Sequence, residues 1–237
     1  MYFVKNNDDV VYINHYSGLL EVEGKGVLGP SETDVWPVSD ANWADEYDTL
    51  SVKDGITGLA EGYLESFPNV GCLILSRTVG SIGETPALNK LLRQNKVLIR
   101  GEYDSFAERF AKQKGLRFLH CDIHLADDDD ERHYEHDIIT LRFHTDGSAD
   151  IHYDCYTPGS SAGSFGGGEI VREIPRDFYV GCDLEAFAAN FPEKLRDQLT
   201  ANEMLGRFLE SANRRYAEKK RKRRKAQVAE GETEAES

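Results

Sequence analysis

Residues 117–156, RFLHCDIHLADDDDERHYEHDIITLRFHTDGSADIHYDCY, hold three runs that alternate between apolar and polar side chains. A period of two marks a strand with one face buried and one face wet. In the first run Leu119, Cys121, Ile123 and Leu125 share a face, opposite His120, Asp122 and His124. In the second, Ile139, Leu141 and Phe143 oppose Thr140, Arg142 and His144. In the third, Ala149, Ile151, Tyr153 and Cys155 oppose Asp150, His152 and Asp154. The turn between the last two contains Asp146-Gly147. A two-residue loop there sets His144 against Ala149, polar against apolar. A three-residue loop, Thr145-Asp146-Gly147 with a glycine bulge, pairs His144 with Ser148 and Arg142 with Asp150, and the faces then match. The stretch predicts an antiparallel meander. The fold class that follows is α+β, an antiparallel sheet with helices mostly on one face.

Upstream, Tyr2–Lys5, Val10–Asn14 and Leu19–Glu23 read as short strands, the first two joined by the turn residues Asn6 to Asp9. Residues 28–55 contain both tryptophans, Trp36 and Trp43, and read as a long, partly ordered connection. Asp54 then precedes GITGLAEGYLESF, expected to be a helix despite its glycines, and Asn69–Ser76 reads as a buried strand. Thr85 caps a helix in PALNKLLRQN, with proline at its first position. Lys96–Arg100 is a strand, and Ser105–Gln113 a helix stopped by Gly115. No repeat at a solenoid period is visible.

Downstream, residues 157–168 read as a flexible glycine-rich loop, without the ending of a P-loop or the order of a dinucleotide site. Strands follow at Glu169–Ile174 and Phe178–Gly181. Asp183 caps a helix carrying Leu184, Phe187, Ala188 and Phe191 on one side. Thr200–Glu203 reads as a capping box for a last helix whose stripe is Leu205, Phe208, Leu209, Ala212 and Tyr216.

That last helix runs into Arg214–Lys225, RRYAEKKRKRRK, with nine basic residues and one acid. The block carries a formal charge of +8 and the tail after it −4, which leaves residues 1–213 at −18 on a chain of −14. The division expected from charge is an acidic α+β domain over residues 1–213. A basic helix extension and a disordered acidic tail follow over 214–237. The body repels polyanions and the block attracts them. Arg214, Arg215, Lys219, Lys220, Arg221, Lys222, Arg223, Arg224 and Lys225 are the candidate polyanion-binding residues. Cations on all sides of a helix give affinity without base readout.

Composition narrows the class further. No apolar run approaches the ~20 residues of a membrane span. The N-terminus lacks the charge and apolar order of a secretory signal. Cys72, Cys121, Cys155 and Cys182 form no CxxC pair and read as reduced thiols, hence a cytoplasmic setting, and the basic block could serve as a nuclear address in a eukaryotic source. His120, Asp122, His124, His144 and His152 share the meander's polar face. That face reads as solvated, with no metal or other cofactor assigned, although imidazole and carboxylate at i, i+2 and i+4 could ligate Zn or Fe. His133 and His136 sit in an acidic loop without the ligand spacing of an EF-hand.

Two segments carry a resemblance. ALNKLLRQNKVLIRGE, a helix and then a strand ending in Arg-Gly, resembles the first motif of arginine-type ADP-ribosyltransferases. GGGEIVREIP followed by FYV resembles their last motif. The resemblance implies an NAD-using transferase, with Arg100 in the place of the family's arginine and Glu169 in that of its catalytic glutamate. The chain departs from the pattern in two places. No Ser-Thr-Ser strand lies between the motifs, and Gly167 stands where the family has an earlier glutamate or glutamine.

The leading expectation is a non-enzymatic binding or regulatory protein. Its acidic body would meet a protein partner, and its basic helix nucleic acid or another polyanion. The alternative is an enzyme, either a divergent ADP-ribosyltransferase or a metal enzyme on the histidine-rich face.

Overall fold

In the computed structural model, the described residues are 2–5, 10–15, 18–30, 47–130, 135–146, 148–158, 165–174, 179–191 and 193–235. The chain forms two compact units, Met1–Cys121 and Asp122–Ser237.

In the first unit, strands β1 (Tyr2–Lys5), β2 (Val10–His15) and β3 (Leu19–Gly24) pair antiparallel in sequence order. From β3 onward the neighbours are parallel. Strands β4 (Gly26–Leu28), β5 (Thr49–Val52), β6 (Ile56–Leu59), β7 (Cys72–Leu75), β8 (Ser81–Ile82), β9 (Leu98–Gly101) and β10 (Arg117–His120) form two sheets. One has the order β1-β2-β3-β5-β7-β9-β10, the other β4-β6-β8. From β3 to β9 the chain thus alternates between two sheets, and β10 then joins the first sheet beside β9. Two helices, α1 (Pro86–Gln94) and α2 (Phe106–Lys114), lie in the connections to β9 and β10.

Stacked apolar side chains hold the passes together. Leu20, Leu50, Leu73 and Ile99 are cross-strand neighbours and almost fully buried. Val22, Val52 and Leu75 form a second rung two residues further along the strands. Each such side chain contributes about 1.5–3 kcal/mol by leaving water. Close stacking also dictates glycine. Gly55 has φ +100°, and a Cβ there would lie 2.4 Å from the Gly24 carbonyl oxygen. The Gly55 carbonyl accepts from Gly26 N at 3.1 Å, which ties one pass to the next.

In the second unit, β11 (Ile123–Asp130), β12 (Glu135–Phe143), β13 (Ala149–Pro158) and β14 (Phe165–Ile174) form an antiparallel sheet in that order. Helices α3 (Leu184–Ala188), α4 (Glu193–Ala201) and α5 (Glu203–Ala235) follow. Ile123, Leu125, Ile139, Leu141, Phe143, Ala149 and Ile151 are buried, as are Phe187, Leu195, Leu199, Leu205, Phe208 and Leu209. The rings of Phe143 and Phe208 sit 5.0 Å apart. A bulge between His124 and Ala126 turns Ala126 inward beside Leu125.

The α+β class holds. The antiparallel sheet expected from residues 117–156 is that of the second unit, with Arg142 opposite Asp150 and Phe143 opposite Ala149. His144 N donates to Ser148 O at 2.9 Å, as the three-residue turn requires. The first of the three runs is divided. Arg117–His120 pairs parallel to β9, and only Ile123 onward joins the meander.

Other elements also differ from expectation. Residues 55–67 form β6 and a short 3-10 turn, Leu64–Ser66, because Gly55 and Gly62 take positive φ where a helix cannot. The 28–55 connection contains β5, and Trp36 and Trp43 lie outside the described residues. Gly166–Gly168 belong to β14 rather than to a loop, and Tyr179–Gly181 is a turn rather than a strand. Among the described residues, no helix is long and apolar enough to cross a membrane.

Candidate functional site

The basic block is carried by α5. The helix begins where Asn202 Oδ1 accepts from Leu205 N at 3.0 Å, so the cap is Asn202. Thr200, the expected cap, donates instead to Arg196 O inside α4. The Asn202 amide also donates to His124 O at 2.6 Å and so fixes the helix start to β11. Leu205, Phe208 and Leu209 then bury one side. Asn213 ties the helix to the turn before α3, donating to Cys182 O at 2.8 Å and accepting from Gly181 N.

Beyond Asn213 the helix leaves the core. Tyr216 is 42% exposed, and every residue from 216 to 227 is exposed, while Arg215 stays partly covered. The backbone remains helical through Ala235. The boundary expected at 213/214 is therefore a change of composition within one helix. At 1.5 Å per residue the twelve-residue block is about 18 Å long. Residues 100° apart around the axis point its cations to all sides, with a single acid, Glu218, among them.

His120 belongs to the first unit, and His124, His144 and His152 to the second. His120 is 1% exposed on β10, with its ring edge-on to Tyr103 at 4.8 Å and Nδ1 2.7 Å from Cys121 O. His124 is exposed on β11. His144 and His152 converge on Asp150. His144 Nε2 lies 2.5 Å from Asp150 Oδ2, and His152 Nε2 lies 3.8 Å from it. The His152 side chain is 10% exposed and that of Asp150 16%, whereas His144 is 43% exposed. Asp150 is the partner that a search for histidine spacing passes over, since only the hairpin register reveals it. Asp122 turns to its own strand pair and accepts from Phe143 N at 3.1 Å.

Arg100 lies on β9 and donates to His120 O at 3.4 Å. Glu169 lies on β14, opposite Asp154. The two belong to different compact units, and the Glu169 side chain is outside the described ones. His133 and the side chain of His136 are also outside them.

No family model matches the chain, and no curated protein matches it. Among solved structures, a leucine-rich repeat protein from Eubacterium ventriosum is 19% identical, over 35% of this chain and 22% of that one, with a TM-score of 0.28. So slight a likeness carries no argument about fold or function.

Proposed function

We propose that this chain is a non-enzymatic binding protein that holds nucleic acid or another polyanion through the basic part of α5. One observation carries the reading. A continuous helix carries Lys219–Lys225 exposed, beyond the Asn213 side chain that ties it to its unit. Residues 1–213 carry −18, so other surfaces oppose a polyanion and the block is the contact. Such a helix neutralises phosphates and releases counterions without reading base edges. The acidic body is then available to a protein partner of opposite charge.

Truncation after Asn213 tests the reading. It keeps the buried stripe of α5 and the Asn213 tether, so the melting transition should stay close to that of the full chain. Binding of a labelled duplex at low salt should be lost. Unchanged binding by the truncated chain would place the contact elsewhere and refute the proposal.

A further inference from the structure

We infer that His144, Asp150 and His152 form a binding site for one divalent first-row transition metal ion, with Zn²⁺ as the reference ion. The three donor atoms lie within 4.8 Å of one another, and among the described residues no other group of histidine, cysteine and acidic side chains does. The set is two imidazoles and one carboxylate. That choice suits Zn²⁺ and its first-row neighbours, and is too poor in oxygen for Ca²⁺ or Mg²⁺.

The site is built on strands. Asp150 and His152 are two residues apart on β13, so both side chains leave the same sheet face. His144 follows the end of β12, where its N–H bonds Ser148 O across the hairpin. Asp146 Oδ1 accepts from both the N–H and the hydroxyl of Ser148, at 2.9 and 2.6 Å, which fixes the turn. The hairpin's hydrogen bonds thus fix the backbone from which the three side chains project, and little backbone ordering is left for binding.

The distances also suit an ion. Bonds of about 2.0 Å in a tetrahedral shell place ligand atoms about 3.3 Å apart. The 2.5 Å pair must open and the 3.8 Å pair close, both by small side-chain rotations. When the ion takes His144 Nε2, the imidazole proton moves to Nδ1 and the cation replaces it against Asp150. Three protein ligands leave one position open, on the side where His144 is exposed. Arg142 is the cross-strand neighbour of Asp150, so its charge opposes that of a bound cation.

The test uses the full chain without a histidine tag, stripped with chelator and titrated with CoCl₂ and then ZnCl₂. The expected result is one equivalent bound, with visible Co²⁺ bands of a nitrogen and oxygen shell that Zn²⁺ erases. His144→Gln changes an exposed side chain and Asp150→Asn is isosteric. Circular dichroism should show both folded, with ion affinity lowered at least about tenfold, since loss of even an outer-shell partner costs that much. His124→Gln, on the neighbouring strand, should bind as the parent does. Absence of saturable uptake by the folded parent would overturn the site. So would uptake weakened less than about tenfold in folded His144→Gln, which would assign the ion to other residues.

Discussion

Glu21 on β3 shows how single side chains set the stability of the first unit. His15 Nε2 lies 2.7 Å from its Oε2, and Lys53 Nζ pairs with its Oε1. Burial pushes the carboxyl up, but the hydrogen bonds and charges of Lys53 and His15 outweigh it and hold the group below its ordinary value. A carboxyl lowered in the folded state adds stability above its unfolded value and loses it as pH falls through the folded one. Glu21→Gln should therefore cost about 1 kcal/mol near neutrality, and progressively less in acid. Urea melts of parent and variant at the two conditions check this, and an equal loss at both would contradict it. In the second unit, Ile151 is 6% exposed opposite Leu141. Ile151→Asp should cost more than about 3 kcal/mol, as an unpaired buried charge does. His124→Ala, on the exposed face, should stay within about 0.5 kcal/mol. Thermal melts that ranked the two in reverse order would show the faces to be assigned wrongly.

At the scale of elements, the glycines of the stacked passes are the sharpest test. Gly55 and Gly115 both have positive φ, but a Cβ at Gly115 meets nothing within 4 Å, whereas one at Gly55 strikes the Gly24 carbonyl. Gly115→Ala should cost about 1 kcal/mol for conformation alone. Gly55→Ala should cost more, up to about 3 kcal/mol. Equal losses in denaturant titrations would mean that the passes are not held as described. The same glycines explain what the sequence concealed. The β12–β13 register was legible because a one-residue slip exposes every apolar side chain, so the pattern admits one answer. The parallel sheet was not legible. Its strands pair over only four residues, Leu19–Val22, Thr49–Val52 and Cys72–Leu75, and the equivalent positions Leu19, Thr49, Cys72 and Leu98 are unevenly spaced. So short a signal without a constant period is lost among chance apolar pairs. Alternation from Leu119 to Leu125 misled for a related reason, since it runs through the end of β10 and the start of β11 without marking the break. The capping box failed because Asn202, with two amide protons and an oxygen, serves the helix start and the neighbouring strand together. Of the candidate sites, the basic block could be read directly, because charge needs no fold to be counted. The register also put His144, Asp150 and His152 on one sheet face, but the approach of their donor atoms to within 4.8 Å depends on side-chain direction, which alternation does not give.

At the scale of the whole molecule, charge separation along the chain is the central claim, with an acidic body and a basic helix that outruns its own core. The most direct measurement is the salt dependence of duplex binding, followed by anisotropy for the full chain and for a variant with Lys219–Lys225 changed to glutamine. Each phosphate neutralised contributes about −0.9 to the slope of log K against log salt. Five to nine contacts of the block predict a slope of about −4 to −8, independent of duplex sequence, and loss of binding in the glutamine variant. A shallow slope, or a variant that binds as tightly as its parent, would contradict the account.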